Sequence, residues 1–284
     1  MIEFVKMQAI GNDFVVVAAN DVASLDLPTL ALRLCDRHFG VGSDGMLVVG
    51  GDFGEGVLGF RMFNPDGSED MCGNGLRCAL LWAYRHGHVI VGKPLFVHGF
   101  DRNRECVLLA VSSEMKHATV SVDMGEADFA PANVPFLGPN NGRRLQSYNL
   151  AVADTVVALS PVSTGSTHTV AFLDAPIDED RFRALSPLIE NHQYFPERTS
   201  IMWTVPRDGD VYDVRIWERA AGETLGCGTG ATAIAAVAWA EGRSAPTATI
   251  TVRSKGGELQ FTQSPDGSIR MTGPAEWVFS GLVA

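Results

Sequence analysis

Met71-Cys72-Gly73-Asn74-Gly75-Leu76-Arg77-Cys78-Ala79-Leu80-Leu81-Trp82-Ala83-Tyr84-Arg85-His86-Gly87 returns in altered form as Gly226-Cys227-Gly228-Thr229-Gly230-Ala231-Thr232-Ala233-Ile234-Ala235-Ala236-Val237-Ala238-Trp239-Ala240-Glu241-Gly242. Each stretch opens on Cys-Gly-x-Gly, continues as an Ala-rich, mostly apolar run, and places a glycine fifteen residues after its cysteine. The body of each run favours helix, and Gly87 and Gly242 suit the left-handed position that follows a helix C-terminus. A helix apolar around most of its circumference is a buried helix, so each is expected to form the core of its own half.

The match extends upstream. Phe60-Arg61-Met62-Phe63-Asn64 and Val214-Arg215-Ile216-Trp217-Glu218 are strand-like. They lead through Pro65-Asp66-Gly67 and Ala220-Ala221-Gly222 into the two helices. Further back, Gly11-Asn12-Asp13-Phe14 stands about as far before Cys72 as Gly165-Ser166-Thr167-His168 stands before Cys227. Three matching segments in one order indicate an internal duplication. The junction is expected near residues 125–145, where Pro131, Pro135 and the turn cluster Gly138-Pro139-Asn140-Asn141-Gly142 fall. The expected domains are 1–130, joined by a C-terminal strand at 272–284, and 131–271.

Short strands are expected at Phe14–Ala18, Met46–Val49, Val107–Val111, Ala118–Val122, Thr155–Leu159, Thr169–Leu173, Ile201–Val205, Thr247–Val252 and Glu258–Thr262. Two more helices are expected at Leu27–Cys35 and Asp180–Ile189. The fold class that follows is α+β: two pseudo-twofold-related halves, each a mixed β-sheet or barrel wrapped around a central helix. Ligand sites commonly occupy the cleft between such halves.

With 46% hydrophobic and 19% charged residues, the 284-residue composition is that of a globular protein. A formal charge of −11 argues against a nucleic-acid partner, since little here would displace counterions from phosphate. The first residues alternate like a strand and lack an apolar leader, and no stretch is long and apolar enough for a bilayer. A cytoplasmic location without membrane contact is the expectation. The five cysteines are odd in number and include no Cys-x-x-Cys pair, which points to reduced thiols and away from a structural zinc. Cys35, Cys78 and Cys106 are read as small buried hydrophobes.

Cys72 and Cys227 invite a chemical reading. Glycines one and three residues after each let the backbone approach a ligand closely. A helix start presents N–H groups outside the helical ladder and about half a positive charge, so it holds anions and favours thiolate over thiol. Two such cradles meeting on one carboxylate, with a sulfur on either side, could move a proton between opposite faces of the adjacent carbon. The N–H groups would stabilise the charge that builds on the carboxylate oxygens. No phosphate loop and no strand-borne G-x-G-x-x-G is present, so neither a metal nor an organic cofactor is expected.

These residues carry a resemblance to the diaminopimelate epimerases, which invert one α-carbon between the LL and meso forms of diaminopimelate in bacterial lysine and peptidoglycan synthesis. The resemblance rests on Gly11-Asn12-Asp13-Phe14, Asp36 to Gly45, Phe63-Asn64-Pro65-Asp66-Gly67-Ser68, Cys72-Gly73-Asn74-Gly75, Glu218-Arg219 with Gly222-Glu223-Thr224, and Cys227-Gly228-Thr229-Gly230. It implies a pyridoxal-phosphate-independent isomerase with a small-molecule amino-acid substrate, with Cys72 and Cys227 as acid/base pair and His168 and Glu218 tuning the thiols. It further implies backbone N–H contacts from Gly73, Asn74, Gly228 and Thr229, substrate contacts from Asn12 and Asn64, and an Arg219 paired with the distant carboxylate. A homodimer is the assembly entertained.

Two departures fall at the far end of the substrate. Ser166 stands where the family has the Asn of Gly-Asn-Pro-His, and Ser200 where it has an Asn after Phe-Pro-Glu. A serine lacks an amide's paired donor and acceptor, and a buried ligand group left without a partner costs about 1–3 kcal/mol. The alternative is therefore a two-thiol racemase or epimerase of the same fold acting on another amino acid.

Overall fold

The computed structural model describes residues 1–51, 57–99, 102–139 and 145–284; the expected turn at Asn140-Asn141-Gly142 lies outside them. The fold is α+β and divides into two compact units, Met1–Asp123 with Thr272–Ala284, and Met124–Met271. Among the described residues, no helix is long and apolar enough to cross a membrane.

Along the chain the elements are β1 (Ile2–Ala9), β2 (Asn12–Ala18), α1 (Leu27–Cys35), β3 (Gly45–Gly50), β4 (Val57–Phe63), β5 (Glu69–Asp70), α2 (Gly73–Arg85), β6 (Pro94–His98), β7 (Asn103–Val111) and β8 (His117–Gly125). They continue as β9 (Tyr148–Val152), β10 (Thr155–Ser163), β11 (Thr167–Phe172), α3 (Glu179–Glu190), β12 (Ser200–Arg207), β13 (Val211–Glu218), β14 (Gly222–Thr224), α4 (Gly228–Ala240), β15 (Ile250–Ser254), β16 (Gly257–Gln263) and β17 (Ile269–Val283).

In the first unit β1–β2 is antiparallel, β2–β3 parallel, β3–β4 antiparallel and β4–β6 parallel. β6–β7 and β7–β8 are antiparallel. β17 pairs with both β8 and β1, which closes an eight-stranded barrel. The second unit repeats the sequence of senses through β10–β11, β11–β12, β12–β13, β13–β15 and β15–β16. Parallel neighbours need a crossover, and each parallel step here is made by a helix: α1 and α2 in the first unit, α3 and α4 in the second.

α2 packs against β1, β2, β3, β4 and β7, and α4 against β10, β11, β12, β15 and β16. Residues Gly73 to Ala83 are all buried, as are Ala231 to Trp239; α4 is accordingly apolar on nearly every face, while α2 buries Asn74 and Arg77 together with its apolar residues. Gly87 (φ 79°) and Gly242 (φ 69°) follow the helix ends in the left-handed conformation. α1 and α3 start where Asp26 and Asp178 accept the Thr29 and Arg181 N–H groups.

Register makes the two units comparable residue by residue. Phe14 pairs with Gly45 as His168 pairs with Ser200, and Met46 pairs with Phe63 as Ile201 pairs with Trp217. Hence Phe14 corresponds to His168, Gly45 to Ser200, and Asn64 to Glu218. The hairpins after these strands carry matching ion pairs, Arg61 on Glu69 and Arg215 on Glu223, each made by two nitrogens. One strand begins later than the sequence reading has it. Ala248 N–H closes a turn on the Ala245 carbonyl, so β15 starts at Ile250 and not at Thr247. β6 and β9 lie outside that reading altogether.

Candidate active site

Cys72 caps α2 and Cys227 caps α4, both with extended backbone (φ −139°, ψ 108° and φ −127°, ψ 115°). Each sulfur accepts the N–H three residues on: Gly75 N at 3.3 Å and Gly230 N at 3.3 Å. Side chains have no room at these glycines. A Cβ on Gly75 would stand 2.9 Å from Leu47 Cδ2, and one on Gly230 2.6 Å from Met202 Sδ. The helical ladders start with Leu76 N–H on the Cys72 carbonyl and Ala231 N–H on the Cys227 carbonyl. The amides of Gly73 and Asn74, and of Gly228 and Thr229, precede those ladders at the helix ends.

In the first unit Cys72 is half-buried, and its Sγ stands 3.8 Å from Asn12 Oδ1. The Asn12 amide donates to Asp44 Oδ2 at 3.1 Å. Asp44 belongs to a cluster in which the Arg37 guanidinium bridges Asp13 (2.8 Å) and Asp44 (2.7 Å) while Lys6 meets Asp13 at 2.5 Å. Against the burial that would raise it, Arg37 and Lys6 hold the Asp13 carboxyl at about 2. Burial and the Asp13 charge push Asp44 up. Asn64 sits in the turn after β4, its amide donating to Ser68 Oγ at 3.0 Å.

The second unit surrounds its cysteine with titratable groups. His168 is buried, and its Nδ1 lies 2.9 Å from the Ser166 carbonyl oxygen. A carbonyl only accepts, so Nδ1 carries the hydrogen and Nε2 is the acceptor in the neutral ring. Burial, with the Arg219 charge nearby, takes the His168 pKa down to about 4. Nε2 stands 3.2 Å from Thr229 Oγ1 and 3.9 Å from Cys227 Sγ, and these last two atoms are 3.4 Å apart. Thr164 Oγ1 donates to the Thr229 carbonyl at 3.0 Å. Glu218 accepts from Thr224 Oγ1 at 2.5 Å and turns its charge toward Cys227.

That charge corrects one expectation. A helix start alone favours thiolate, but burial first, and Glu218 second, push the Cys227 thiol well above the usual range. The hydrogen bonds from Thr229 and Gly230 oppose this and do not overcome it. Cys227 is 7% exposed, and removing a thiolate from water outweighs half a charge at the helix end.

The remaining residues of interest lie beside His168. Ser200 pairs with it across β11–β12, and Ser200 Oγ accepts the Arg219 N–H at 3.0 Å. Arg219 Nη1 donates to the Glu197 carbonyl at 3.0 Å. Cys35, Cys78 and Cys106 are buried. Sequence reasoning gave no role to Asp44, Thr164 or Thr224. Thr224 and Asp44 stand inside quoted motifs, so position alone could have drawn attention to them, whereas nothing local marks Thr164.

Comparison with known proteins adds to this geometry. The family model described as diaminopimelate epimerase matches residues 4–130 and 161–278. The diaminopimelate epimerase of Pelotomaculum thermopropionicum is 37% identical over 288 residues, 98% of this chain and 97% of that protein. That of Desulforudis audaxviator is 38% identical over 282 residues, 98% of each. Among solved structures, a predicted epimerase from Pseudomonas aeruginosa has a TM-score of 0.70 at 14% identity, covering 100% of this chain and 99% of that one. A hydroxyproline epimerase from Agrobacterium vitis, with bound trans-4-hydroxy-L-proline, has a TM-score of 0.69 at 14% identity, covering 99% and 90%. At such identities these two likenesses speak for the fold.

Proposed function

The chain belongs to the diaminopimelate epimerase family and is an isomerase, and from that premise we propose that it converts LL-diaminopimelate to the meso form with Cys72 and Cys227 as its acid/base pair. The observation that carries the reading is the duplicated cap: two cysteines with the same backbone conformation, each bonded to the N–H three residues on. A filler residue has no reason to recur in that geometry in both units.

One sulfur as thiolate takes the α-proton, and the other as thiol returns a proton to the opposite face, so no electrons are gained or lost. Burial and Glu218 keep Cys227 protonated, which suits it to the proton-giving role at the start of a turnover. The position equivalent to Glu218 in the first unit is Asn64, which brings no charge against Cys72. The amides of Gly73, Asn74, Gly228 and Thr229 stabilise the carboxylate as the carbanion forms. Neutral His168, accepting at Nε2, links the Cys227 thiol and the Thr229 hydroxyl in one hydrogen-bonded triangle. In the reverse direction the two thiols exchange roles. Asn12 and Asn64 contact the substrate, Arg219 pairs with the distant carboxylate, and Ser166 and Ser200 line that end.

Deuterium incorporation at the α-carbon from heavy water tests both parts. Cys72→Ser and Cys227→Ser should each lower epimerisation by about 10²–10⁴-fold. Retention of full activity by either variant would sink the two-thiol reading. A panel of other L-amino acids tests the substrate. Far faster exchange on one of them than on LL-diaminopimelate would favour the racemase alternative, for which Ser166 and Ser200 are the reason.

A further inference from the structure

We infer that Glu190 is a positioning residue whose buried carboxylate fixes the loop bearing Arg219 against the segment bearing Ser200, and so sets the distal end of the substrate site. The inference rests on the proposed role of Arg219.

Glu190 ends α3 and is 4% exposed. A carboxylate in such a place is costly unless donors surround it. Oε1 accepts the Ala220 N–H at 2.8 Å together with the Arg198 guanidinium, and Oε2 accepts the Trp217 indole N–H at 2.7 Å. The Glu190 backbone carbonyl accepts the Thr199 N–H at 3.2 Å. The donors thus come from two stretches of chain. Arg198 and Thr199 immediately precede Ser200, and Trp217 and Ala220 bracket Glu218 and Arg219.

Backbone conformation points the same way. Arg198 (φ 64°) and Ala220 (φ 65°) are both left-handed although neither is glycine. Such residues persist only where the surroundings hold them, and both of these bond directly to Glu190. The corresponding turn of the first unit needs no such clamp, because it is held by its own side chains. There Asp66 accepts the Ser68 N–H at 2.9 Å, and Ser68 Oγ accepts the Asn64 amide at 3.0 Å. In the second-unit turn, Ala220 and Ala221 supply no polar side chain, and the carboxylate comes from α3 instead. Two bonds then join the clamped stretches, Arg219 N–H to Ser200 Oγ and Arg219 Nη1 to the Glu197 carbonyl.

Steady-state kinetics on LL-diaminopimelate, with thermal unfolding in parallel, test the role through four variants. In Glu190→Gln the introduced amide is isosteric, but its NH2 faces an N–H donor whichever way it turns. KM should rise about tenfold with kcat held within about threefold, the size expected for one lost buried hydrogen bond. Trp217→Phe removes the donor on one side and should change KM by less than about threefold. In the double variant the amide oxygen can face Ala220 again, and KM should return to within about threefold of Trp217→Phe alone. Arg219→Met should raise KM by itself. An unchanged KM in Glu190→Gln overturns the positioning role whatever Arg219→Met does, and so does a loss confined to kcat and thermal midpoint. If Arg219→Met leaves KM unchanged while Glu190→Gln raises it and Trp217→Phe rescues it, the clamp stands through Ser200 and the reading of Arg219 fails instead.

Discussion

An exposed imidazole titrates near 6.5, whereas burial takes His168 to about 4. Between these values the unfolded chain binds a proton that the folded chain refuses. The folded state therefore loses stability as pH falls from about 6.5 toward 4, by about 3 kcal/mol in order of magnitude. Above 6.5 the contribution is complete. His168→Gln keeps a polar side chain but removes the titration, so its thermal midpoint should fall less between pH 7 and pH 4.5 than that of the parent protein. Parallel declines in the two proteins would mean that His168 does not control the acid limb. Cys227 is a different case at the same scale. Its place at a helix start was legible from Cys-Gly-x-Gly, because an N-cap is a property of neighbouring residues. The direction of its acidity was not, because it is set by burial and by Glu218, which tertiary folding brings in from nine positions away in sequence. Glu190 was invisible for the same reason: its three donors are spread over Arg198, Trp217 and Ala220.

Helices with strong end signals read true from sequence. Asp26 with Pro28 marks the start of α1, and its observed span coincides with the expected Leu27–Cys35. α2 and α4 were legible through their mostly apolar bodies and terminal glycines. β6 was not, since it alternates weakly: of Pro94–His98, only Val97 is fully buried, whereas β9 went unread although Leu150 and Val152 alternate with exposed Asn149 and Ala151. The glycines of α2 serve two different needs, and substitution separates them. Nothing lies within 4 Å of a Cβ on Gly87, so Gly87→Ala should cost only the left-handed backbone, about 1 kcal/mol, with activity unchanged. Gly75→Ala brings a methyl to 2.9 Å from Leu47 and 3.1 Å from Phe60, in the residue whose N–H holds the Cys72 sulfur. It should lower kcat by more than tenfold while Gly87→Ala does not, and equal kcat in the two variants would contradict this separation.

At the scale of the molecule, duplication was legible because matched segments recur in one order, and the pairing senses now carry it through whole strands. Residues Thr272–Ala284 belong with Met1–Asp123, and the second unit is a continuous insert from Met124 to Met271. β17 supplies the strand that joins β8 to β1. Deleting Thr272–Ala284 should strip hydrogen-exchange protection from β1, β2 and β8 while leaving β11–β13 protected. Equal loss in both sets would show that the units do not fold separately.

Ile2 to Gln8 find their partners in Val283 to Glu276. A ribosome makes the chain from one end, so the first strand made must wait for the last. Until then Phe4, Val5 and Met7, all buried in the finished protein, lack one flank. The inserted unit, whole once Met271 has emerged, can settle while its host is still open. The interval in which the nascent chain is exposed to misassociation is therefore fixed by the time needed to translate everything between β1 and β17, and it falls on the half that was synthesised first.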